Sequence, residues 1–298
     1  MKTAMIIYNP NAGGGIELAR INELEYRLNQ DFNSITIHET KSPGDATKLA
    51  KKASMDQMDS VFVIGGDGTF NEVVNGIAEF DYRPKLGLLP GGTNNTYLRT
   101  LEDEIDLEKA IEQLDLNTTD RIDIGCCNEA YFIYYVAFGN LINATMETSS
   151  EEKEQKGSLA YIENIIREVP DDQLHQITLS IDGGEAEKYQ ISHFFSLLTN
   201  YYGQVQITEG ENAINDGNLY CVLLLNQSTG VKLQVIKDII FGDIEQNENI
   251  KVIKCQSYHL EIEEPVDLKM DLDGDVGPDQ PLDVKVLPKH IEIYRTYA

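Results

Sequence analysis

Basic residues are scarce in this sequence. Across 298 residues, 24 Lys and Arg stand against 50 Asp and Glu, a formal net charge of −26 at pH 7. A broad electrostatic grip on nucleic acid needs lysine and arginine to displace phosphate counterions, so no nucleic acid is expected as a partner. Anionic membrane surfaces repel such a chain too, except where basic residues cluster locally. Long apolar runs are missing as well. The longest, YFIYYVAF at 131–138, has about eight residues, far below the ~20 that a membrane span needs. The apolar stretch at the N-terminus stops at Tyr8, which is too short for the core of a signal peptide. Cysteine is sparse: Cys126, Cys127, Cys221 and Cys255 make no C-x-x-C pair. That argues against a disulfide framework or a zinc site and points to a reducing cytoplasm. The five histidines are scattered, with no H-E-x-x-H.

What is present is an ordinary globular endowment. Apolar residues at 41%, together with 23 glycines, exclude disorder for most of the chain despite its charge. The length suits two domains, each large enough for its own core. Up to about residue 125, strand and helix patterns alternate. AMIIYN (4–9), SITIHE (34–39), SVFVIGG (60–66) and KLGLLPGG (85–92) read as strands. The segments 16–28, 44–53 and 70–78 carry apolar residues at helical spacing. Repeated strand–helix units predict a parallel sheet covered by helices. Beyond Gly125, successive strands predict a mainly antiparallel second half, with helices near 158–167 and 231–240 and a charged loop at 149–157. Asp182-Gly183-Gly184 reads there as a tight hairpin turn.

Three glycine-bearing turns end strands of the first half: Asn9-Pro10-Asn11-Ala12-Gly13-Gly14-Gly15, Gly65-Gly66-Asp67-Gly68-Thr69, and Pro90-Gly91-Gly92-Thr93-Asn94-Asn95. Ligands of parallel sheets bind at the carboxyl ends of strands, and glycine lets backbone approach an anion closely. Any one such turn is equally well an ordinary strand ending. Three at one sheet edge make a phosphate cradle. The familiar alternatives fail: no Gly-Lys dipeptide exists for a G-x-x-x-x-G-K-[ST] loop, and G-x-G-x-x-G fails at Leu18. An EF-hand fails at 271–282, because Val276 and Leu282 stand where Gly and Glu are needed.

G-G-D-G-T-x-N-E-V-x-N-G-I at Gly65–Ile77 resembles the signature of the diacylglycerol kinase catalytic-domain family, which includes soluble bacterial lipid kinases and sphingoid-base kinases. Other motifs follow in family order. They are N-P-x-A-G at Asn9–Gly13, T-x-x-x-G-D-A at Thr40–Ala46, L-P-G-G-T-x-N at Leu89–Asn95, R-x-D-x-G at Arg121–Gly125, N-D-G at Asn215–Gly217 and D-G-D at Asp273–Asp275.

The resemblance implies an α/β protein. Residues 1–124, with a C-terminal return at about 288–298, form a phosphofructokinase/NAD-kinase-like parallel-sheet domain that binds ATP. Residues 125–287 form a β-sandwich-like domain for the lipid substrate. The nucleotide contacts carried over are Asn9, Pro10, Asn11, Ala12, Gly13, Thr40, Gly66, Asp67, Gly68, Thr69, Phe70, Asn71, Glu72 and Thr93, with Asp67 near the phosphates and their Mg²⁺. The plainer account of Asp67 is a helix N-cap. Asp275 becomes the general base toward a lipid alcohol, with Asp273 holding or tuning it; the plainer account of both is an acidic turn. Asp216, with backbone oxygens of Ala213 and Asn218, corresponds to a second Mg²⁺ site, or else to a turn aspartate. The implied enzyme is a cytoplasmic lipid kinase that meets the inner face of the membrane transiently and peripherally, and a homodimer is compatible with this picture.

The chain also departs from the pattern. Gly14 and Asn164 stand where relatives often carry Lys, Thr96 and Asn215 where they carry an acid, and Asp275 where Glu is usual. Each lost lysine removes a phosphate-neutralising charge, for which Lys41 or Arg99 are candidate substitutes. The alternative expectation is therefore a catalytically weak or inactive nucleotide-binding homologue acting as a regulator or scaffold.

Overall fold

Aliphatic runs bounded by glycine set the strands of the first half. In the computed structural model, which describes residues 1–92, 95–101, 105–138, 174–202, 205–210, 214–225, 244, 247–263 and 269–295, β1 (Thr3–Tyr8), β3 (Ser60–Gly65) and β4 (Lys85–Pro90) are buried almost throughout. Burial on both faces is the mark of central parallel strands. β2 (Ser34–Glu39) is largely exposed and lies at the edge. The order is β2-β1-β3-β4, with every pair parallel.

Helices α1 (Leu18–Leu28), α2 (Asp45–Met55) and α3 (Asp67–Ile77) connect these strands. α1 starts later than the apolar spacing suggests. Gly13, Gly14 and Gly15 take φ of 56, 88 and 118°, so the chain makes only a short 3-10 turn over Ala12–Gly14 and is extended at Glu17 before α1 begins. Ala19 faces solvent, while Ile21, Leu24 and Leu28 fill the core. α3 starts three residues earlier than its apolar stripe, because Gly66 caps it from inside the glycine turn. Two short helices, α4 (Thr96–Leu101) and α5 (Leu107–Gln113), follow β4 and were not expected.

The chain divides into two compact units, Met1–Ile122 with Lys289–Ala298, and Asp123–Pro288. β5 (Asp115–Cys127) leads into the second unit and forms a hairpin with β6 (Ala130–Phe132). Then come β7 (Tyr135–Phe138), β8 (His175–Ile181), β9 (Ala186–Ile191), β10 (His193–Leu197), β11 (Tyr201–Tyr202), β12 (Val205–Gln206), β13 (Leu219–Leu224), β14 (Ile250–Cys255), β15 (Ser257–Ile262), β16 (Asp271–Leu272), β17 (Asp275–Val276) and β18 (Leu282–Arg295). Asp182 and Gly183, at φ 50 and 71°, form the hairpin turn between β8 and β9.

Two layers result in the second unit: β9-β8-β15-β18, and β17-β16-β7-β10-β13-β14. Both contribute to one core, with Ile177, Leu179 and Leu260 from one layer and Phe138, Phe194 and Leu223 from the other. Phe194 meets Tyr258 edge-on across it, with ring centroids 5.3 Å apart. The tail segments LDVKVLP and HIEIYR, which read as two strands, form the single strand β18. Its last residues join the first unit, where Ile293 pairs with Leu86 in parallel and the Tyr294 ring stacks on Phe62. The fold is thus mixed α/β, a parallel sheet with helices followed by an antiparallel β unit. Among the described residues, no helix is long and apolar enough to cross a membrane. The helices expected near 158–167 and 231–240, the loop at 149–157 and Asn164 lie outside the described residues.

Candidate functional site

Sheet order brings the glycine turns together. β2, β1, β3 and β4 run parallel, so Thr40, Asn9–Gly13, Gly65–Gly68 and Gly91–Gly92 all emerge at one edge. Backbone bonds fasten them in sequence across the sheet. The Thr40 N–H donates to the Tyr8 carbonyl at 2.9 Å, Asn9 to Ile64 at 3.1 Å, and Gly91 to Gly65 at 2.8 Å. Two positions need glycine outright. A Cβ on Gly13, whose φ is already 56°, would stand 2.5 Å from the Gly91 carbonyl oxygen, and a Cβ on Gly92 would stand 2.6 Å from the Gly66 Cα. The third turn thus approaches the first at Gly13–Gly91 and the second at Gly66–Gly92, backbone to backbone. The Asn9 side chain accepts the Asn11 N–H at 3.1 Å and shapes the first turn, where Pro10 and Ala12 are half-buried. Thr93 lies outside the described residues.

The acids of the G-G-D-G-T-x-N-E segment act on neighbouring helices. Asp67 is the first residue of α3 and not its N-cap, which is Gly66. Its carboxylate accepts the N–H groups of Thr96 (2.8 Å) and Tyr97 (2.9 Å) at the start of α4. Glu72 accepts those of Gly44 (2.8 Å) and Ala46 (3.0 Å) at the start of α2, and Thr47 Oγ1 donates to the Glu72 carbonyl at 3.0 Å. A helix start leaves donor groups without partners, and a carboxylate satisfies them with favourable charge. The signal in the sequence was an absence: α2 follows Gly44, which has no side chain to cap it. Phe70 is wholly buried, so only its backbone can face a ligand. Asn71 is buried and receives the Asn75 amide at 2.8 Å.

In the second unit, Asp273 sits at φ 54° in the β16–β17 turn. Its carboxylate accepts three N–H groups, from Ile133 (2.7 Å), Tyr134 (3.0 Å) and Tyr135 (2.8 Å). It therefore moors the turn to the start of β7. Asp275, two residues on, is exposed on the short strand β17. Asp271 Oδ1 accepts the Gly274 N–H at 2.7 Å and closes the turn.

Asp216 lies in another turn, and Ala213 before it is outside the described residues. Its Oδ2 accepts the Tyr220 hydroxyl at 2.6 Å and pairs with Lys254 Nζ at 2.8 Å, while Oδ1 accepts the Asn218 N–H at 3.0 Å. Burial pushes this carboxyl up, but the bonds from Lys254 and Tyr220 outweigh it and hold the group below the usual carboxylate range. Asp123, itself buried, anchors the same turn through the Gly217 N–H at 2.6 Å. No motif in the sequence ties Asp123, Tyr220 or Lys254 to this turn.

Comparison with known proteins agrees with this architecture. Residues 3–127 match the model of the diacylglycerol kinase catalytic domain. Residues 136–295 match the YegS C-terminal NAD kinase beta sandwich-like domain. A Streptococcus pneumoniae protein provisionally named a lipid kinase is 39% identical over 99% of this chain and 98% of its own. A diacylglycerol kinase of Bacillus subtilis is 31% identical over 98% of this chain and 96% of its own. The crystal structure of a diacylglycerol kinase from Bacillus anthracis superposes with a TM-score of 0.77 at 27% identity, covering 99% of this chain and 97% of that one. This chain belongs to the diacylglycerol kinase catalytic-domain family of lipid kinases, with an NAD-kinase-like β-sandwich as its second domain.

Proposed function

We propose that this chain transfers the γ-phosphate of ATP to the hydroxyl of diacylglycerol or a related lipid alcohol, with Mg²⁺ accompanying the nucleotide. The observation that carries this reading is the edge where three glycine turns meet backbone to backbone. Glycine lets a phosphate chain come close to the backbone of such an edge, and amide groups supply the positive potential that a −26 chain cannot supply broadly. Asn9–Gly13, Thr40, Gly66–Thr69 and Thr93 hold the nucleotide. Phe70, Asn71 and Glu72 shape that edge from behind.

Mg²⁺ takes one or two carboxylates plus phosphate oxygens and keeps several waters. Asp67 fits that need: it is half-buried and fixed by two N–H groups, and a carboxylate has lone pairs beyond those two bonds. When bound, the ion neutralises charge developing on the transferred phosphoryl group. Asp275 orients the acceptor hydroxyl and takes its proton, and Asp273 keeps the turn that carries it in place. The lipid is met at the inner face of the membrane, transiently, as expected of a strongly acidic chain.

The test is a panel of acceptors with labelled ATP and purified protein: diacylglycerol micelles, other long-chain alcohols, and glycerol. Transfer to diacylglycerol that falls with Asp275→Asn supports the reading. Transfer to lipid that is indifferent to Asp275→Asn removes the base. No transfer to any acceptor, with ATP still bound, moves the chain to a nucleotide-binding regulator or scaffold. Gly14, exposed in the first turn without a lysine side chain, is the feature that would explain such a result.

A further inference from the structure

The turn at Asn215–Gly217 is built around an internal cation. β13 and β14 pair antiparallel in a register that sets Tyr220 directly opposite Lys254. Asp216 precedes Tyr220 by four residues, so the turn folds its carboxylate back onto that cross-strand pair. Lys254 Nζ reaches Asp216 Oδ2 at 2.8 Å and lies 5.1 Å from the centroid of the Tyr220 ring. The Tyr220 hydroxyl donates to the same oxygen at 2.6 Å. Among the described residues of the turn, further protein groups are paired with one another. Asn218 N–H takes Oδ1, the Asn218 amide donates to the Asp216 carbonyl at 2.7 Å, and Asp123 holds Ile214 and Gly217 by their backbone.

These residues do not fit a divalent ion as they stand. Oδ2 already carries two donors, and an ion bound there would sit beside an ammonium of like sign. We infer that the Lys254 ammonium takes the place that the family pattern gives to a second Mg²⁺ at Asp216. The turn therefore binds no divalent cation while Lys254 is present, and becomes a divalent site once that ammonium is removed. The Lys254 side chain is half-exposed, 52% against 22% for Asp216, so its removal opens the carboxylate to water without leaving a hole in the core.

Binding of Mn²⁺ to nucleotide-free protein, followed by the electron-spin signal of the free ion, tests this. Acidic surface binds Mn²⁺ weakly everywhere, so each titration is compared with the same protein carrying Asp216→Asn, or Asp216→Ser should the first variant fold poorly. Wild type and Lys254→Arg are expected to show no Asp216-dependent site. Lys254→Met is expected to melt about 2–4 °C lower, to gain one saturable site that Asp216→Asn abolishes, and to regain its Tm in Mg²⁺ or Ca²⁺ at constant ionic strength. A saturable Asp216-dependent site in the wild type overturns the inference, and so does a Lys254→Met protein that gains none. Neither outcome bears on ATP or lipid turnover, because no nucleotide is present.

Discussion

Gly66-Asp67-Gly68 in the first unit and Asp273-Gly274-Asp275 in the second both set carboxylates on glycine-bearing turns, yet the acids are disposed differently. Asp67 is half-buried and receives two N–H groups from the start of α4. In the second turn the two functions are divided. Asp273 receives three N–H groups and anchors the backbone, while Asp275 stands exposed two residues on. The lesson concerns how an acid in a motif is read. Its place in the pattern names a candidate, but the number of backbone donors aimed at it tells whether it holds structure, meets solvent and ligand, or does both.

The sharpest way to break this comparison is to neutralise the two acids of the second turn separately. Asp275→Asn is expected to lower kcat toward a lipid alcohol by about 10²–10⁴-fold, the range for a general base, with a smaller loss of Tm than Asp273→Asn causes. Equal losses of kcat and Tm would erase the distinction. Asp273→Asn is expected to do the reverse in emphasis. Its new amide turns N–H groups toward backbone N–H groups, and a bond to a charged acceptor is worth about 1.5–3 kcal/mol. A stability loss of about 2–3 kcal/mol follows, which for a domain of this size lowers Tm by roughly 4–10 °C, measured by calorimetry.

These partners could not be read from the sequence, and the reason is distance along the chain. Asp67 meets a residue 29 positions away, and Asp273 one 140 positions away. Local pattern reports what a segment does to itself. It therefore shows the buried runs of β1, β3 and β4, the glycines that end them, and the Asp182-Gly183 hairpin. It did not show α4 and α5, whose six and seven residues are too few to display a helical period. It split β18 at Pro288, where a proline reads as a stop although the strand runs through it. The glycine edge was legible because backbone packing leaves a direct mark, the repeated need for a residue with no Cβ. The Lys254–Asp216–Tyr220 arrangement left no such mark, since it depends on the register of two strands separated by more than twenty residues.

Glu72 extends the comparison within the first unit. Like Asp67 it caps another helix, but it acts on α2, whose approach carries Thr40 to the sheet edge. Glu72→Gln keeps one acceptor and turns its amide toward the other N–H. The expected cost is about 1 kcal/mol, as for a lost helix cap, with a rise in KM for ATP and little change in kcat. Asp67→Asn, by contrast, is expected to lower kcat as well, because the proposed function gives Asp67 ligand work in addition to its cap. If the two variants give the same split between KM and kcat, Asp67 has only the structural role.

The smallest effect separates a titrating group of the first unit from the carboxylates on both units. Burial lowers the His290 pKa below its ordinary 6.5, Arg83 adds to this, and the Ala78 carbonyl, which accepts the Nε2 proton at 2.8 Å, opposes it in part. A histidine whose folded pKa is depressed binds its proton more readily in the unfolded chain. Its contribution to stability is therefore complete above pH 6.5 and is lost as pH falls through the folded pKa. The surplus of acids works in the opposite direction, since their protonation relieves self-repulsion, but it does so mainly nearer pH 4 to 5. Comparing Tm of wild type and His290→Gln from about pH 7.5 to 5.5 isolates the histidine, because the glutamine can keep a donor toward Ala78 without titrating. The wild type is expected to lose stability relative to the variant as pH falls, with no change in their difference above about pH 7.5. A difference that stays constant across the whole range would mean that His290 titrates alike in the folded and unfolded chain, and that its burial beside Ala78 carries no electrostatic cost.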